Sequence, residues 1–361
     1  MTDEERRSPL HDVQVAAGAE IVWEDGWPWA MNFGGDAAGE YEAIRSATGL
    51  WDLFSTVKYE VTGRDAARLI QRRFTNDLAG VPAGAVRYGA FVNADGLMVD
   101  DGNVYKHGDE KFWVMINTAG LEDWFRETAG DLDATITGRT TELPMISATG
   151  PTSRDLVQGL TDFDLSSLKY FRFNPEPVQV AGVPTTVLRT GFSGELGFEL
   201  VTDPGSAVAL WEALVAAGGR PFGLDAIDLA RVEAGLIIVA VDYQPGETSP
   251  WDLSLDRFIK AGTENVASGA LAAYGAAPPR RFKTLQIEGG SAPEAGAPVT
   301  KDGAEVGVLT SPAASPRLGT IGLAILDAGV ATDGEKVEVG GAAATVAPMS
   351  LYDPEKKKPR V

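Results

Sequence analysis

The sequence predicts an α+β chain in which two related α+β units, each ferredoxin-like, precede a small all-β barrel or sandwich. An internal repeat predicts the two units, because VTGRDAARLIQ at Val61–Gln71 recurs as ATGPTSRDLVQ at Ala148–Gln158. The helix-like tryptophans Trp124 and Trp211 are 87 residues apart, the same offset as in the repeat. Short alternating strands with glycine-rich turns from about Arg281 predict the third part.

The first unit contains a strand, a helix and a hairpin in sequence. VKYEVTG, which begins at Val57, alternates in the manner of a strand, and an amphipathic helix is predicted from Asp65 to Phe74. Strands at Tyr88–Asn93 and Leu97–Tyr105 then form a hairpin, because Asp95-Gly96 is a typical turn between them.

The second unit repeats this plan. A hairpin is predicted from Val178–Thr190 and Glu195–Thr202 across the turn GFSG. Helices are predicted at Ser206–Ala217 and at about Asp225–Gly235, and in the second of these Leu229, Val232 and Leu236 lie on one face.

The C-terminal part is predicted to be all β. Its strand-like stretches are FKTLQIEGG, APVTKDGAEVGVLT, LGTIGLAIL and EKVEVGGAAATVAPM. The alanine- and glycine-rich segment Ala267–Pro279 before them is predicted to be a short helix and a linker.

Composition excludes several classes of function. The chain has 361 residues, 44% of them hydrophobic, and a net charge of −20, which argues against a nucleic-acid surface. No apolar run is long enough to cross a membrane, and the N-terminus lacks a signal peptide, so a cytoplasmic location is predicted. Without cysteine, and with His11 and His107 as its two histidines, the chain has no predicted metal site. The basic cluster at Lys356–Lys358 and Arg360 is expected to be a solvated tail.

The stretch FVNADGLMVDD places two carboxylates, Asp100 and Asp101, at the end of a strand. Because strand side chains alternate, one should face solvent and the other a covered face. Asp101 alone could simply bond its own backbone, and Glu199 could be an ordinary cross-strand partner. Arg231 could be a helix residue paired with a nearby carboxylate. No nucleotide-loop, dinucleotide-turn, GxSxG or HExxH motif is present.

Several strings together resemble one family from about Tyr41 to the C-terminus. They are EYEAIRSATGLWDL, VTGRDAARLIQRRFTNDL, YGAFVNADGLMVDDGNVY, RTGFSGELGFEL, GLDAIDLARVEAGL, VGVLTSPAASPRLGTIGLAIL and LYDPEKKKPR. The chain resembles the glycine cleavage T-protein (aminomethyltransferase) family and its tetrahydrofolate-dependent demethylase relatives. The resemblance implies two ferredoxin-like domains and a β-barrel around a central folate channel. It also implies a discontinuous first domain of residues 1–50 and 140–270, a second domain of 51–139 and a barrel of 280–361.

The resemblance also implies site residues. Asp101 resembles the family's active-site carboxylate near the folate nitrogens. Glu199 resembles the glutamate that accepts hydrogen bonds from the pterin. Less specific matches to cofactor-binding positions are Tyr88, Tyr105, Asn117, Tyr170 and Arg231. For the glutamate tail of folate, which the net charge repels at long range, the candidates are Arg231, Arg281 and Arg360.

Two departures from the T-protein pattern favour a demethylase. Ile227 stands where many T-proteins have a ligand-contacting arginine. The segment Val241–Pro250 carries Tyr243 and looks more like the aryl-methyl-ether demethylases. The sequence thus predicts methyl transfer from a small donor to N5 of tetrahydrofolate, and a methoxyaryl ether is the favoured donor. Tyr243 is predicted to be the acid that protonates the leaving oxygen, and Asp101 to stabilise positive charge on the attacking nitrogen.

Two alternatives remain open from sequence. One is a glycine-cleavage aminomethyltransferase acting on an aminomethyl-lipoyl carrier protein. The other is a non-enzymatic folate-binding factor for iron–sulfur assembly or RNA modification, although those proteins carry a cysteine motif that this chain lacks.

Overall fold

The structure, a computed structural model, describes residues 6–24 and 26–361. Within these residues the helices α1 to α8 are, in chain order, His11–Ala16, Ala37–Ser46, Ala66–Gln71, Glu122–Arg126, Ser153–Gln158, Ala207–Ala216, Leu224–Ala234 and Ser268–Gly275. The strands β1 to β19 are, in chain order, Ala19–Glu24, Trp27–Phe33, Gly49–Asp52, Val57–Thr62, Val86–Val92, Met98–Gly108, Lys111–Ile116, Thr135–Gly138, Met145–Thr149, Val178–Val180, Val183–Leu188, Gly197–Val201, Arg220–Pro221, Arg280–Ile287, Pro298–Lys301, Ala304–Ser315, Gly319–Asp327, Lys336–Val339 and Ala342–Ala347.

Two sheets carry the predicted repeat. The five-stranded sheet has the order β5-β6-β7-β4-β8, in which β8-β4-β7-β6 is the strand order of a ferredoxin-like unit. The six-stranded sheet, β10-β11-β12-β9-β3-β13, has the same order except that β3 lies between β9 and β13. The α+β fold class is confirmed, and the repeat in sequence corresponds to a repeat in topology.

The Thr-Gly turns of the repeat are equivalent in conformation. Gly63 follows β4 with a φ of +116°, and Gly150 follows β9 with a φ of +128°. A Cβ on Gly63 would lie 2.4 Å from the carbonyl oxygen of Asp133, and a Cβ on Gly150 would lie 2.3 Å from that of Ala47. Both turns therefore require glycine, because backbone approaches too closely for any side chain.

Gly150→Ala is expected to lower the free energy of unfolding by about 3 kcal/mol, because it combines a strained φ with a backbone clash. Gly182→Ala is the matched control in the same sheet, since Gly182 has a φ of +77° and no atom within 4 Å of its Cβ position. The control should cost about 1 kcal/mol. Equal losses for the two variants in urea unfolding would show that the close approach at Gly150 is unimportant.

The C-terminal part is a closed barrel rather than a sandwich. Its six strands follow the order β14-β17-β16-β15-β18-β19, and β19 pairs with β14 to close it. A hydrophobic cluster joins the barrel to the five-stranded sheet, with Ala90 and Met98 on the sheet side and Ile321 and Leu323 on the barrel side. Packing against the barrel thus covers one face of the β5–β6 hairpin.

Two features differ from the predicted elements. The segment predicted as one strand, Val178–Thr190, contains two strands, β10 and β11, because Ala181 and Gly182 turn the chain with φ values of +50° and +77°. The hairpin of β1 and β2 has no counterpart in the prediction. The predicted division into domains stays a prediction. A discontinuous first domain needs contact between its two segments, and the pairing of β3 with β9 is such a contact. Among the described residues, no helix is long and apolar enough to cross a membrane.

Candidate active site

A cavity of about 930 Å³ lies where the two sheets, α7, the loop around Leu255 and the C-terminal segment meet. The size is that of a pocket for a drug-sized or cofactor-sized molecule. Of the predicted site residues, those that line it are Tyr88, Asp101, Tyr105, Asn117, Tyr170 and Glu199.

The carboxyl group of Asp101 is held by two phenols. Tyr88 Oη donates to Asp101 Oδ2 at 2.7 Å, and Tyr243 Oη donates to Asp101 Oδ1 at 2.6 Å. Asp101 is only 6% exposed, although it lines the cavity. Burial and the neighbouring Asp100 raise the pKa of Asp101 to about 7, against the two phenol hydrogen bonds, which lower it. This carboxyl group can therefore gain or lose a proton near neutral pH.

Asp100 does not face solvent, and the expectation that one aspartate of the pair would do so is wrong. Its side chain is fully buried on the opposite face of β6. There it accepts hydrogen bonds from the backbone N–H groups of Asn117 and Thr118 at 2.9 and 2.6 Å, and from Asn117 Nδ2 at 3.0 Å. Both faces of β6 are therefore covered. Because Asn117 and Thr118 directly follow β7, these hydrogen bonds tie the end of β7 to β6.

Tyr243 reaches Asp101 from the loop after α7 but does not itself line the cavity. It is 3% exposed, and burial together with the charge of Asp101 raises the pKa of its phenol well above 10. Such a phenol keeps its proton and donates a hydrogen bond to Asp101. This geometry supports a positioning role for Tyr243 and does not support the predicted role as the acid for a leaving group.

Arg231 is not brought to the cavity. Its guanidinium group is buried and pairs with Asp242 at 2.5 Å and with Asp228 at 2.8 Å. It also donates to Ser311 Oγ of the barrel at 2.7 Å. The contacts join α7 to the barrel and fix the loop that carries Tyr243. The structure therefore does not place Arg231 in contact with a cofactor. It shows the ion pair with a nearby carboxylate that was the alternative interpretation of the sequence.

Glu199 lies on β12 at the other side of the cavity. It is 7% exposed, and Thr190 Oγ1 donates to its Oε2 at 2.5 Å. Burial raises the pKa of Glu199. Lys58, fully buried nearby, donates to the carbonyl oxygens of Leu53 and Thr56 at 2.9 and 2.8 Å, and burial lowers its pKa to about 7.

Further polar groups of the cavity were missed from the sequence. The side chain of Asn103 lines the wall, and its buried Oδ1 has no hydrogen-bond partner among the described residues. The alternation along β6 was the available signal, because Asn103 is two residues after Asp101 and faces the same side.

Three cations form one edge of the cavity, namely Arg257, Lys356 and Arg360. Burial, and then the charges of Arg257 and Arg360, lower the pKa of Lys356 to about 8. The basic cluster is thus not a free tail as expected, because this segment folds back onto the cavity. Of the three predicted tail-binding arginines only Arg360 lines the cavity, whereas Arg281 pairs with Asp256 at 3.1 Å.

Comparison with known proteins assigns the family. The GCVT N-terminal domain matches residues 10–263, and the glycine cleavage T-protein C-terminal barrel domain matches residues 280–353. The chain belongs to the glycine cleavage T-protein family. Within this family it is 36% identical over 343 residues to the aminomethyltransferase of Streptomyces avermitilis, covering 91% of each chain. It is 34% identical to the aminomethyltransferase of Geobacillus kaustophilus, covering 92% of this chain and 94% of the relative.

The fold agrees with a solved structure of the same family. The crystal structure of the glycine cleavage system aminomethyltransferase T from Bartonella henselae matches with a TM-score of 0.86 at 22% identity, covering 96% of this chain and 98% of that one. The T-protein resemblance seen in the sequence is confirmed. Family membership also confirms the predicted enzyme class, a one-carbon transferase, and the predicted cofactor, tetrahydrofolate. Among the described residues no cluster of three or more histidine, aspartate and glutamate side chains has the arrangement of a metal site.

Proposed function

We propose that this T-protein family member is an aminomethyltransferase, which moves a one-carbon unit from an aminomethyl-lipoyl carrier protein to tetrahydrofolate. The products are methylenetetrahydrofolate, ammonia and the carrier with its lipoyl group as the free dithiol. The observation that carries the proposal is the Asp101 carboxyl group, buried on the cavity wall with a pKa of about 7. The choice of donor is supported by the names of the relatives, which align over about nine-tenths of this chain. This replaces the demethylase reading favoured by the sequence.

The residues of the cavity fit tetrahydrofolate. The pterin edge presents N–H donors, and the buried acceptors Glu199 and Asn103 Oδ1 are suited to receive them. The carboxylate of the cofactor requires cations, which Arg257, Lys356 and Arg360 supply. When bound, tetrahydrofolate supplies the nucleophilic nitrogens that accept the one-carbon unit.

Asp101 would accept the proton that the attacking folate nitrogen loses. In its ionised form the carboxylate stabilises positive charge that develops on an attacking nitrogen, and it can then take the proton from that nitrogen. Tyr88 and Tyr243 keep the two carboxylate oxygens in fixed directions. A carboxyl group with an ordinary aspartate pKa would be a weaker proton acceptor at neutral pH.

An apolar part of the wall suits the aliphatic lipoyl arm. Trp29 and Met31 from β2 face Leu224 and Ile227 from α7, and all four line the cavity. Ile227 makes this part more apolar than the arginine at that place in many T-proteins would. The carrier protein and a cytoplasmic location both remain predictions.

Methyl transfer from a methoxyaryl ether is the second candidate. The contact between Tyr243 and Asp101 favours it, since the tyrosine resembles that of the demethylases. Against it, the Tyr243 phenol keeps its proton and does not line the cavity. A purely folate-binding factor is the third candidate. Such a factor would not need the ionisable carboxyl group of Asp101, because it transfers no proton.

A donor panel tests the proposal. The purified protein and tetrahydrofolate are mixed with an aminomethyl-lipoyl carrier protein, methoxyaryl acids, a betaine or a sulfonium compound, and folate products are quantified. Methylenetetrahydrofolate is expected from the carrier protein alone. Formation of 5-methyltetrahydrofolate from a methoxyaryl acid, with none from the carrier, would establish the second candidate instead. Folate binding without turnover of any donor would establish the third.

The pH dependence of kcat/KM is expected to follow Asp101. Because the raised pKa of about 7 keeps the carboxyl group protonated in acid, kcat/KM should rise with pH and level off above about 7. Tyr88→Phe removes a hydrogen bond that favours the ionised form, so the midpoint should move to higher pH. A profile that falls through neutral pH, or an unchanged midpoint in Tyr88→Phe, would contradict this role.

A further inference from the structure

We propose that Lys58 is a positioning residue of the pterin site, whose buried positive charge keeps Glu199 ionised below neutral pH. The inference rests on the proposed function and deepens it, because Glu199 is the residue assigned there to the pterin. Lys58 lies on β4, is 0% exposed and is not among the residues of the cavity wall. It therefore acts on bound folate through Glu199 and not by contact.

The ammonium group of Lys58 is held by main-chain carbonyl groups. Its Nζ donates to the carbonyl oxygens of Leu53, Phe54 and Thr56 at 2.9, 3.2 and 2.8 Å. Three acceptors match the three N–H donors of a protonated lysine, whereas a neutral amine would turn its lone pair toward one of these oxygens. None of the three acceptors is a carboxylate. The loop therefore holds a buried positive charge without neutralising it, and the counter-charge must come from carboxylates farther away.

Two carboxylates, Asp52 and Glu199, are the negative charges that act on Lys58. Asp52 already accepts three hydrogen bonds, two from side chains of the N-terminal segment and one from a backbone N–H group. Glu199 accepts a hydrogen bond from Thr190 and lies on the cavity wall. Lys58 is the cation that acts on Glu199, so the ionisation of this cavity carboxylate depends on it.

Glu199 and the loop that binds Lys58 belong to the same face of the six-stranded sheet. Ser147 of β9 pairs with Glu199 on one side and with Trp51 on the other. Leu53 follows Trp51 by two residues, and alternation places it on the same side of the chain. Trp51, Leu53 and Glu199 all line the cavity. The ammonium group, bound to the carbonyl group of Leu53, therefore lies behind the wall that carries Glu199.

The charge of Lys58 opposes the effect of burial on Glu199. Burial raises the pKa of Glu199, whereas the hydrogen bond from Thr190 and the charge of Lys58 lower it. The other titratable groups that act on this pair are Asp52, Tyr105 and Tyr170. Both phenols keep their protons at neutral pH, because burial raises their pKa. Without Lys58, Glu199 would take up a proton at a higher pH and would then present a hydrogen to the N–H groups of the pterin.

Tetrahydrofolate binding at two pH values tests the role of Lys58. The variant Lys58→Met is compared with the wild type and with Lys336→Met, which removes the same charge at an exposed position on the barrel. At about pH 6, Lys58→Met should bind about 10-fold more weakly than the wild type, because its Glu199 is protonated. At about pH 8.5 the difference should fall below about threefold. The wild-type lysine, with a pKa of about 7, has then lost its charge.

Two further variants separate the charge of Lys58 from its effect on the shape of the wall. Lys58→Gln removes the charge but keeps an N–H donor for the carbonyl oxygens, so it should show the same pH dependence even where Lys58→Met does not fold. In a Glu199→Gln background, adding Lys58→Met should change folate affinity by the same factor at both pH values, because no carboxyl group is left to protonate.

An equal loss of affinity at both pH values in the single Lys58 variants would overturn the proposal, because the lysine would then only shape the wall. Unchanged affinity in these variants would overturn it too, and so would the same pH dependence in Lys336→Met or in the Glu199→Gln background. Each of these results leaves the proposed function standing. Failure of the wild type to bind tetrahydrofolate at either pH would instead contradict the proposed function.

Discussion

Asp101→Asn is expected to lower kcat by about 10³-fold while the dissociation constant of tetrahydrofolate changes by less than about threefold. The asparagine keeps the shape of the side chain and can still contact Tyr88 and Tyr243. It cannot become an anion or accept a proton from the attacking nitrogen. Turnover with the aminomethyl-lipoyl carrier and folate binding are measured separately, at a pH above 7, where the wild-type carboxyl group is ionised.

Asp225→Asn is the matched control, because Asp225 also lines the cavity but is exposed on α7. It removes the same charge without a buried carboxyl group, and its kcat should stay within about threefold of wild type. Retention of more than about a tenth of the wild-type kcat by Asp101→Asn would remove Asp101 from the chemistry. An equal loss in Asp225→Asn would point to the charge of the cavity as a whole.

Glu199→Gln is expected to weaken tetrahydrofolate binding by about 10- to 100-fold, since one acceptor of a charge-assisted pair becomes a donor facing pterin N–H groups. At saturating folate, kcat should stay near that of the wild type, because Glu199 does not touch the transferred carbon in the proposed arrangement. Fluorescence titration gives the affinity, and turnover at high folate gives kcat.

Glu24→Gln provides the comparison for Glu199, because Glu24 is an exposed glutamate that lines the same cavity. Its folate affinity should be close to that of the wild type. If Glu199→Gln binds folate as tightly as this control, the pterin does not contact Glu199. If its kcat falls while its affinity is unchanged, Glu199 acts on the chemistry and not on binding.

The parts of the fold that depend on local pattern could be predicted from the sequence. The repeat of VTGRD as ATGPT was informative because Gly63 and Gly150 occupy turns that exclude any side chain, so the same residues recur in both units. The hairpin at Asp95-Gly96 was equally local. The strand pattern alone left a barrel and a sandwich open, because closure depends on the pairing of β14 with β19, which are distant in sequence. The family resemblance predicted the barrel, and the structure confirms it.

Candidate site residues could be predicted from the sequence where the local sequence around them is distinctive. They could not be predicted where neighbours from distant parts of the chain decide the role of a residue. Asp101 and Glu199 were predicted from the strings around them, and both line the same cavity. The burial of Asp100 could not be read from strand alternation, because Asn117 and Thr118, which follow β7, turn back to bond its carboxylate. Arg231 was misassigned because its partner, Asp242, is brought to it by a loop. The C-terminal cations Lys356 and Arg360 reach the cavity through tertiary contacts, which the local sequence does not indicate.

The ionisation of Asp101 is the property on which the proposed chemistry depends. It can be measured directly from the carboxyl ¹³C chemical shift, by titrating wild-type protein labelled at aspartate and assigning the signal with Asp101→Asn. A titration midpoint near pH 7 is expected, coincident with the rise of kcat/KM. A midpoint below about pH 5, with kcat/KM still rising through pH 7, would show that another group controls the transfer.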